Sequence, residues 1–324
     1  MIKSYSWLAS AVSPTEFFNC FCPGTSIACY GFNNECKARK RRNEKKFEEK
    51  FLKAKDGTEI CYVDEGEGRP IIFVHGWTSD KSSLVNTYGR SIVDASFRFI
   101  AFDLRASDNT SLSNTRPVTL LLIAEDIHTI IETLNLQDVT LVGHSQGGKD
   151  VIAYEQVYGN EYLHSLCLMD TTPCTHQEEG FGYATRFDSY TKEQSDKDIA
   201  SIRENSFDFF AEITQKGSPD LTLDEAREAA KKRLAHQHLP EAVDLYESSN
   251  SLDLRPGVEA INVPTAYMYA AKGTLIHPEI YKWYAEHIKS DYYPIPFDTS
   301  MHEFHFIPEL VPDVTKAFIE FFKK

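Results

Sequence analysis

Asp138-Val139-Thr140-Leu141-Val142-Gly143-His144-Ser145-Gln146-Gly147-Gly148 is the stretch from which the rest of the chain can be read. Its first five residues are rich in β-branched side chains and read as a short buried strand. Behind the glycines, Lys149 to Tyr158 carries spaced apolar residues and no proline, the pattern of an amphipathic helix. Ser145 therefore stands at a strand-to-helix junction inside a Gly-x-Ser-x-Gly sequence. So short a junction forces a tight, strained turn, and Gly143 and Gly147 leave out the Cβ atoms that would strike the neighbouring strand or helix. The turn lifts the Ser145 hydroxyl clear of the sheet, and the N–H of Gln146, at the helix start, points where an oxyanion would form.

Outward from this junction the pattern is regular from Phe51 onward. Upstream, Thr58 to Val63 and Phe97 to Phe102 read as strands, and Pro70 to Val74 is a continuous apolar run, as in a strand buried on both faces. A helix is expected over Val118 to Leu134, and Leu163 to Met169 is a further strand, closing on Asp170-Thr171-Thr172-Pro173. Strand and helix alternating in this way predict an α/β fold with a mostly parallel sheet and helices on both faces. The alternation stops near Cys174. Residues 174–257 are polar and helical in pattern, clearest over Lys197–Thr214 and Leu223–His236, and read as an insertion over the C-terminal edge of the sheet, where ligands bind in open α/β folds. Val263 to Tyr269 restores the strand signal, followed by helix Pro278–Ile288, strand Asp291–Phe297 and helix Pro312–Phe322. The expected organisation is thus an extension at 1–50, a core at 51–173 and 258–324, and the insertion at 174–257.

A net charge of -14 argues against a nucleic-acid partner, because most of the surface would repel a phosphate backbone. The charge is uneven, since residues 37–50 hold eight Lys or Arg against three Glu. The cysteines number seven, and three of them, Cys61, Cys167 and Cys174, fall at core or near-core positions, which fits reduced thiols in a cytoplasmic protein. In the extension, Cys20, Cys22, Cys29 and Cys36 lack the paired spacing and the nearby histidine of a zinc site. Cys20 and Cys22 among phenylalanines, followed by the basic run 37–42, have the composition of acylated cysteines beside a polybasic patch, so residues 1–46 are one candidate for peripheral membrane association. A solvated extension or a nuclear-localisation run are the other readings of the same residues. Its apolar stretches are broken by Pro14, Glu16 and Pro23, too short for a bilayer span or a continuous signal-peptide core.

In order, His75-Gly76-Trp77, Asp103-Leu104-Arg105, Gly143-His144-Ser145-Gln146-Gly147-Gly148, Leu168-Met169-Asp170 and a late histidine resemble the α/β-hydrolase fold family over residues 51–324, and within it the esterase, perhydrolase and haloperoxidase-like group. The resemblance implies a nucleophilic Ser145, an oxyanion hole from the backbone N–H groups of Trp77 and Gln146, and a histidine base after the last strand. His302 is preferred there over His305, whose expected role is that of a packed or hydrogen-bonded helix residue, while His75 and His144 are expected to brace the site. The departure concerns the acid. The family's usual carboxylate position aligns with Gly273 in Ala270-Ala271-Lys272-Gly273. In some relatives the acid follows the preceding strand instead, and here that residue is Asp170; Asp298 and Glu279 are weaker alternatives. Asp103 and Arg105 are expected to form a structural ion pair.

The resemblance implies a serine esterase acting on an ester with an apolar acyl or alkyl group, the aromatics Phe181, Tyr183, Phe187, Phe207, Phe209 and Phe210 lining a pocket or forming the core of a helical cap. It implies no metal and no cofactor. Cofactor-free peroxidase-like side chemistry is a further enzymatic reading. Fold does not fix function, and Gly273 keeps open a non-catalytic or weakly catalytic, ligand-binding reading.

Overall fold

The computed structural model describes residues 46–107, 109–110, 117–185, 190–217, 221–273 and 275–324. Cys20, Cys22, Cys29, Cys36, the basic run 37–42, Phe187 and all but the last residue of the candidate membrane-binding segment lie outside the described residues. Among those described, no helix is long and apolar enough to cross a membrane.

Eight strands form one sheet: β1 (Glu49–Lys53), β2 (Glu59–Glu65), β3 (Pro70–Val74), β4 (Arg98–Phe102), β5 (Val139–His144), β6 (Leu163–Met169), β7 (Thr265–Ala270) and β8 (Tyr292–Phe297), in the order β1-β2-β4-β3-β5-β6-β7-β8. β1 and β2 pair antiparallel, β2 pairs antiparallel with β4, and the six strands from β4 to β8 run parallel. The inner strands read as apolar runs because both their faces are covered. Ile72 and Val74 point to one face, where α3 (Leu120–Thr133), α4 (Gln146–Tyr158) and α10 (Ile280–His287) pack; Ile71 and Phe73 point to the other, against α11 (Val311–Phe322). On that second face α1 (Lys81–Leu84), a π-helical turn (Val85–Gly89) and α2 (Arg90–Asp94) make the crossover from β3 to β4.

The insertion carries α5 (Lys192–Glu204), α6 (Ser206–Gly217), α7 (Leu223–Leu234), α8 (Leu239–Ser251) and α9 (Arg255–Ala260). The single helix expected over Lys197–Thr214 is two helices. Asn205 breaks it, its side-chain oxygen accepting the N–H of Asp208 at 3.2 Å, which caps α6 at its N-terminus. The five cap aromatics among the described residues do not converge on one pocket: Phe209 and Phe210 pack in a core within the insertion with Phe207 beside them, while Phe181 and Tyr183 join the main core.

Asp103 and Arg105 do not pair with each other, contrary to the sequence expectation. Asp103 accepts from both the Nζ and the N–H of Lys81 at 2.8 Å, at the start of α1. Arg105 turns to the other face and holds Asp126 of α3 through Nε and Nη2, each at 2.7 Å, with Asp56 and Thr58 on Nη1. The chain leaves β4 at Phe102 and turns at Arg105 and Ala106, so two residues that look adjacent in sequence serve opposite sides of the sheet.

Candidate active site

The register of the parallel strands brings the expected site together. His144 pairs with Met169, and Met169 with Met268, so the next residues, Ser145 and Asp170, emerge side by side at the C-terminal edge. Two hydrogen bonds extend the ladder by a step: Ser145 N–H to Met169 O at 2.9 Å and Asp170 N–H to Met268 O at 2.8 Å. Both residues have positive φ, 53° for Ser145 and 41° for Asp170, an unfavourable region for a side chain with a Cβ. Gly143 and Gly147 make the turn at Ser145 possible. A Cβ on Gly143 would strike the carbonyl of Gly147, and one on Gly147 would strike the carbonyl of Val74.

Asp170 is buried, and its two carboxylate oxygens have separate tasks. Oδ1 accepts the N–H of Ala270 at 3.2 Å, and Oδ2 accepts from His302 Nδ1 at 2.7 Å. A carboxylate can only accept here, so His302 Nδ1 carries a proton and donates it, which turns Nε2 away from Asp170. Asp298 and Glu279 stand elsewhere: Asp298 is exposed and paired with Lys272, and Glu279, at the position before α10, is paired with Lys282. No carboxylate can be accommodated at Gly273 without a shift of backbone, because its Cβ would strike the carbonyl of Ile276.

His144 braces the loop that carries His302. Its Nε2 donates to the main-chain carbonyl of His302 at 3.1 Å, and the two rings lie 4.8 Å apart. Burial above all, with His305 and His302 beside it, holds the His144 pKa well below the usual histidine value, so it stays neutral. His305 is packed, as expected. Its ring lies 3.9 Å from that of His144, and neither ring nitrogen has a hydrogen-bond partner among the described residues. Burial brings its pKa down to about 3.

Residues 76–79 turn back tightly, Ser79 N–H bonding Gly76 O at 3.1 Å. His75 fixes the same peptide: its Nδ1 donates to Gly76 O at 2.8 Å, while its Nε2 accepts the N–H of Leu104 at 3.1 Å. A trans peptide is planar, so clamping the Gly76 carbonyl also sets the direction of the Trp77 N–H on the opposite side. At Gln146 the N–H is the first of α4, with no carbonyl one turn earlier to receive it. The Trp77 side chain reaches into the insertion, where Nε1 donates to Ala242 O at 2.7 Å and the ring lies 4.6 Å from both Phe210 and Tyr246.

Two residues that the motifs do not reveal also converge here. Arg233, near the end of α7, bonds Thr78 Oγ1 at 2.7 Å, Trp77 O at 3.2 Å and Glu303 at 3.2 Å, and so joins the 76–79 turn to the loop bearing His302. Nothing in its local sequence marks it, because its partners lie far away along the chain. Lys149, in the first turn of α4, is buried with its ammonium on Thr175 and on Ser249. Burial drops its pKa from 10.5 to about 8. Between those two values the unfolded chain holds a proton that the folded chain has released, so this lysine makes stability rise with pH across that window. The gap corresponds to about 3 kcal/mol. Denaturant unfolding at pH 7.5 and pH 10.5 is expected to show wild type gaining on Lys149→Met by about that amount, and an unchanged difference would contradict it.

A family model described as the alpha/beta hydrolase fold matches residues 69–307. The chain belongs to the α/β-hydrolase fold family. Among relatives of this family, a non-heme chloroperoxidase of Kitasatospora aureofaciens is 35% identical over 123 residues, which cover 37% of this chain and 42% of that protein. An AB hydrolase superfamily protein of Bacillus subtilis is 26% identical over 78% of this chain and 91% of its own length. The fold is also that of an esterase from Exiguobacterium antarcticum, with a TM-score of 0.73 and 22% identity over 85% of this chain and 99% of that one. A bromoperoxidase from Bacillus anthracis superposes with a TM-score of 0.71 at 22% identity over 86% of this chain and 100% of that one.

Proposed function

We propose that this α/β hydrolase is a serine carboxylesterase that cleaves an ester with an apolar acyl or alkyl group through an acyl-enzyme. The observation that carries the reading is the 2.7 Å contact between His302 Nδ1 and Asp170 Oδ2 beside the strained turn of Ser145. Ser145 Oγ attacks the ester carbonyl carbon while His302 Nε2 takes its proton, and Asp170 stabilises the imidazolium that forms. The oxyanion is received by the N–H groups of Trp77 and Gln146, which contribute most where charge exists only in the transition state, about 3–4 kcal/mol for one such donor. His302 then returns the proton to the departing alcohol. In the second half it takes a proton from water, which attacks the acyl carbon and releases the acid and free Ser145. The insertion serves as a cap, tied to the 76–79 turn through Trp77 and Arg233. Names among the relatives and fold neighbours support ester cleavage, including an esterase/perhydrolase of Acinetobacter calcoaceticus and the Exiguobacterium esterase.

The test is hydrolysis of short and medium p-nitrophenyl esters by the purified chain. Turnover that favours the more apolar acyl groups supports the reading. Failure to turn over any ester, together with failure to react with a fluorophosphonate, would favour a ligand-binding role. Within this reading Arg233→Met is expected to lower kcat by about 10- to 100-fold, since loosening two loops together displaces groups that must be aligned to within an ångström. Circular dichroism of the variant separates that loss from unfolding, and unchanged kcat in a folded variant would remove Arg233 from the account.

A further inference from the structure

We propose that Cys174, His176 and Glu178, at the start of the insertion, form a mononuclear zinc site distinct from the Ser145 site. The Cys174 thiol, a ring nitrogen of His176 and a carboxylate oxygen of Glu178 all lie within 4.8 Å of one another. A tetrahedral ion bound at about 2.0–2.3 Å to sulfur, nitrogen and oxygen needs its ligands roughly 3.3–3.7 Å apart, so the three groups would draw together on binding. The His176 Nδ1 is already 3.2 Å from Glu178 Oε1. Cys174 and His176 are buried while Glu178 is 40% exposed, so the cluster has a closed inner side and a way in from solvent.

Three ligands of thiolate, imidazole and carboxylate type suit zinc and leave a fourth position for water. The surroundings hold the ligands in place. Thr172 Oγ1 donates to Cys174 O at 2.9 Å, and Glu178 exchanges backbone hydrogen bonds with Phe181 across a tight turn. Asp253 stands outside the cluster, held by Arg255 at 2.7 Å. Without metal the Cys174 S–H donates to His176 O at 3.2 Å. On binding, the thiol proton leaves to solvent, that hydrogen bond breaks and a zinc–thiolate bond replaces it. The segment begins four residues after Asp170, so the ion would pin the chain where it leaves the sheet for the insertion.

The experiment is a Co²⁺ titration of the full chain followed by zinc displacement, read by the thiolate-to-cobalt band, with metal content and thermal unfolding measured alongside. One equivalent is expected to bind, to raise Tm and to yield to zinc. The band should vanish in Cys174→Ser, and zinc affinity should fall by about 100-fold or more in His176→Ala, given that even outer-shell changes cost 10- to 100-fold. A variant with Cys20, Cys22, Cys29 and Cys36 all replaced by serine should keep both the band and the affinity. If Cys174→Ser fails to fold, Glu178→Gln, at a partly exposed position, takes its place and is expected to weaken zinc binding while leaving the fold intact. The proposal is overturned if wild type binds no cobalt or zinc, which would leave an ion pair only. It is also overturned if the band survives in the Cys174 and His176 variants and disappears with the four cysteines of the extension.

Discussion

Ser145→Ala is expected to lower kcat for p-nitrophenyl ester hydrolysis by about 10⁶-fold, the scale on which a serine nucleophile acts together with its base. KM should change little, since the hydroxyl is asked to contribute to bond formation and not to ground-state binding. The variant is a clean one. Alanine keeps the Cβ, so it meets the same backbone demand as serine at φ 53°, and the bonds that hold this residue are main-chain ones: its N–H donates to Met169 O and its carbonyl accepts from Thr171 Oγ1. An unchanged Tm with lost activity is therefore the expected pair of results. Residual hydrolysis within tenfold of wild type would show that the ester is cleaved by another group.

Asp170→Asn is expected to cost about 10⁴-fold in kcat, as in the serine-protease arrangement when the acid becomes an amide. The local hydrogen bonds dictate the reason. One side-chain atom of residue 170 accepts the N–H of Ala270, so an asparagine must place its oxygen there and turn its NH₂ toward His302 Nδ1. Nδ1 then has to accept, the imidazole proton moves to Nε2, and the nitrogen that should take the serine proton no longer can. The loss should be largest in kcat at neutral pH, with the protein still folded. Moving the acid back by adding Gly273→Asp should not rescue the variant, because a side chain at 273 meets the Ile276 carbonyl. Rescue would mean that the loop rearranges and that Asp170 owes its place to history more than to geometry.

The distribution of what sequence could and could not reveal follows from the range of the interactions. The strands β3, β5 and β6 stand out because a strand covered on both faces must be apolar at every position, a local property. Ser145 stands out for a similar reason: the glycines that flank it are needed by the turn itself. Asp170 and His302 were legible only as positions after particular strands, and their meeting depends on the register of β5, β6 and β7. The errors lie where a residue's partner is remote. Arg105 found Asp126 in α3 and not its sequence neighbour Asp103. Arg233 finds its partners at residues 77, 78 and 303. The break at Asn205 is the exception, since an asparagine ahead of Asp208 is a local capping signal that the apolar periodicity concealed. β1 escapes the sequence pattern because it is a five-residue edge strand, Glu-Lys-Phe-Leu-Lys, with three charged residues and only Leu52 buried.

The most direct test of the central claim is fluorophosphonate labelling of the intact chain, with the adduct located by peptide mass spectrometry. A serine activated by His302 should take up one equivalent, on Ser145, with labelling slowed by orders of magnitude in His302→Ala and retained in His305→Ala. No adduct, or an adduct on any other residue, would contradict the assignment of Ser145 as the nucleophile.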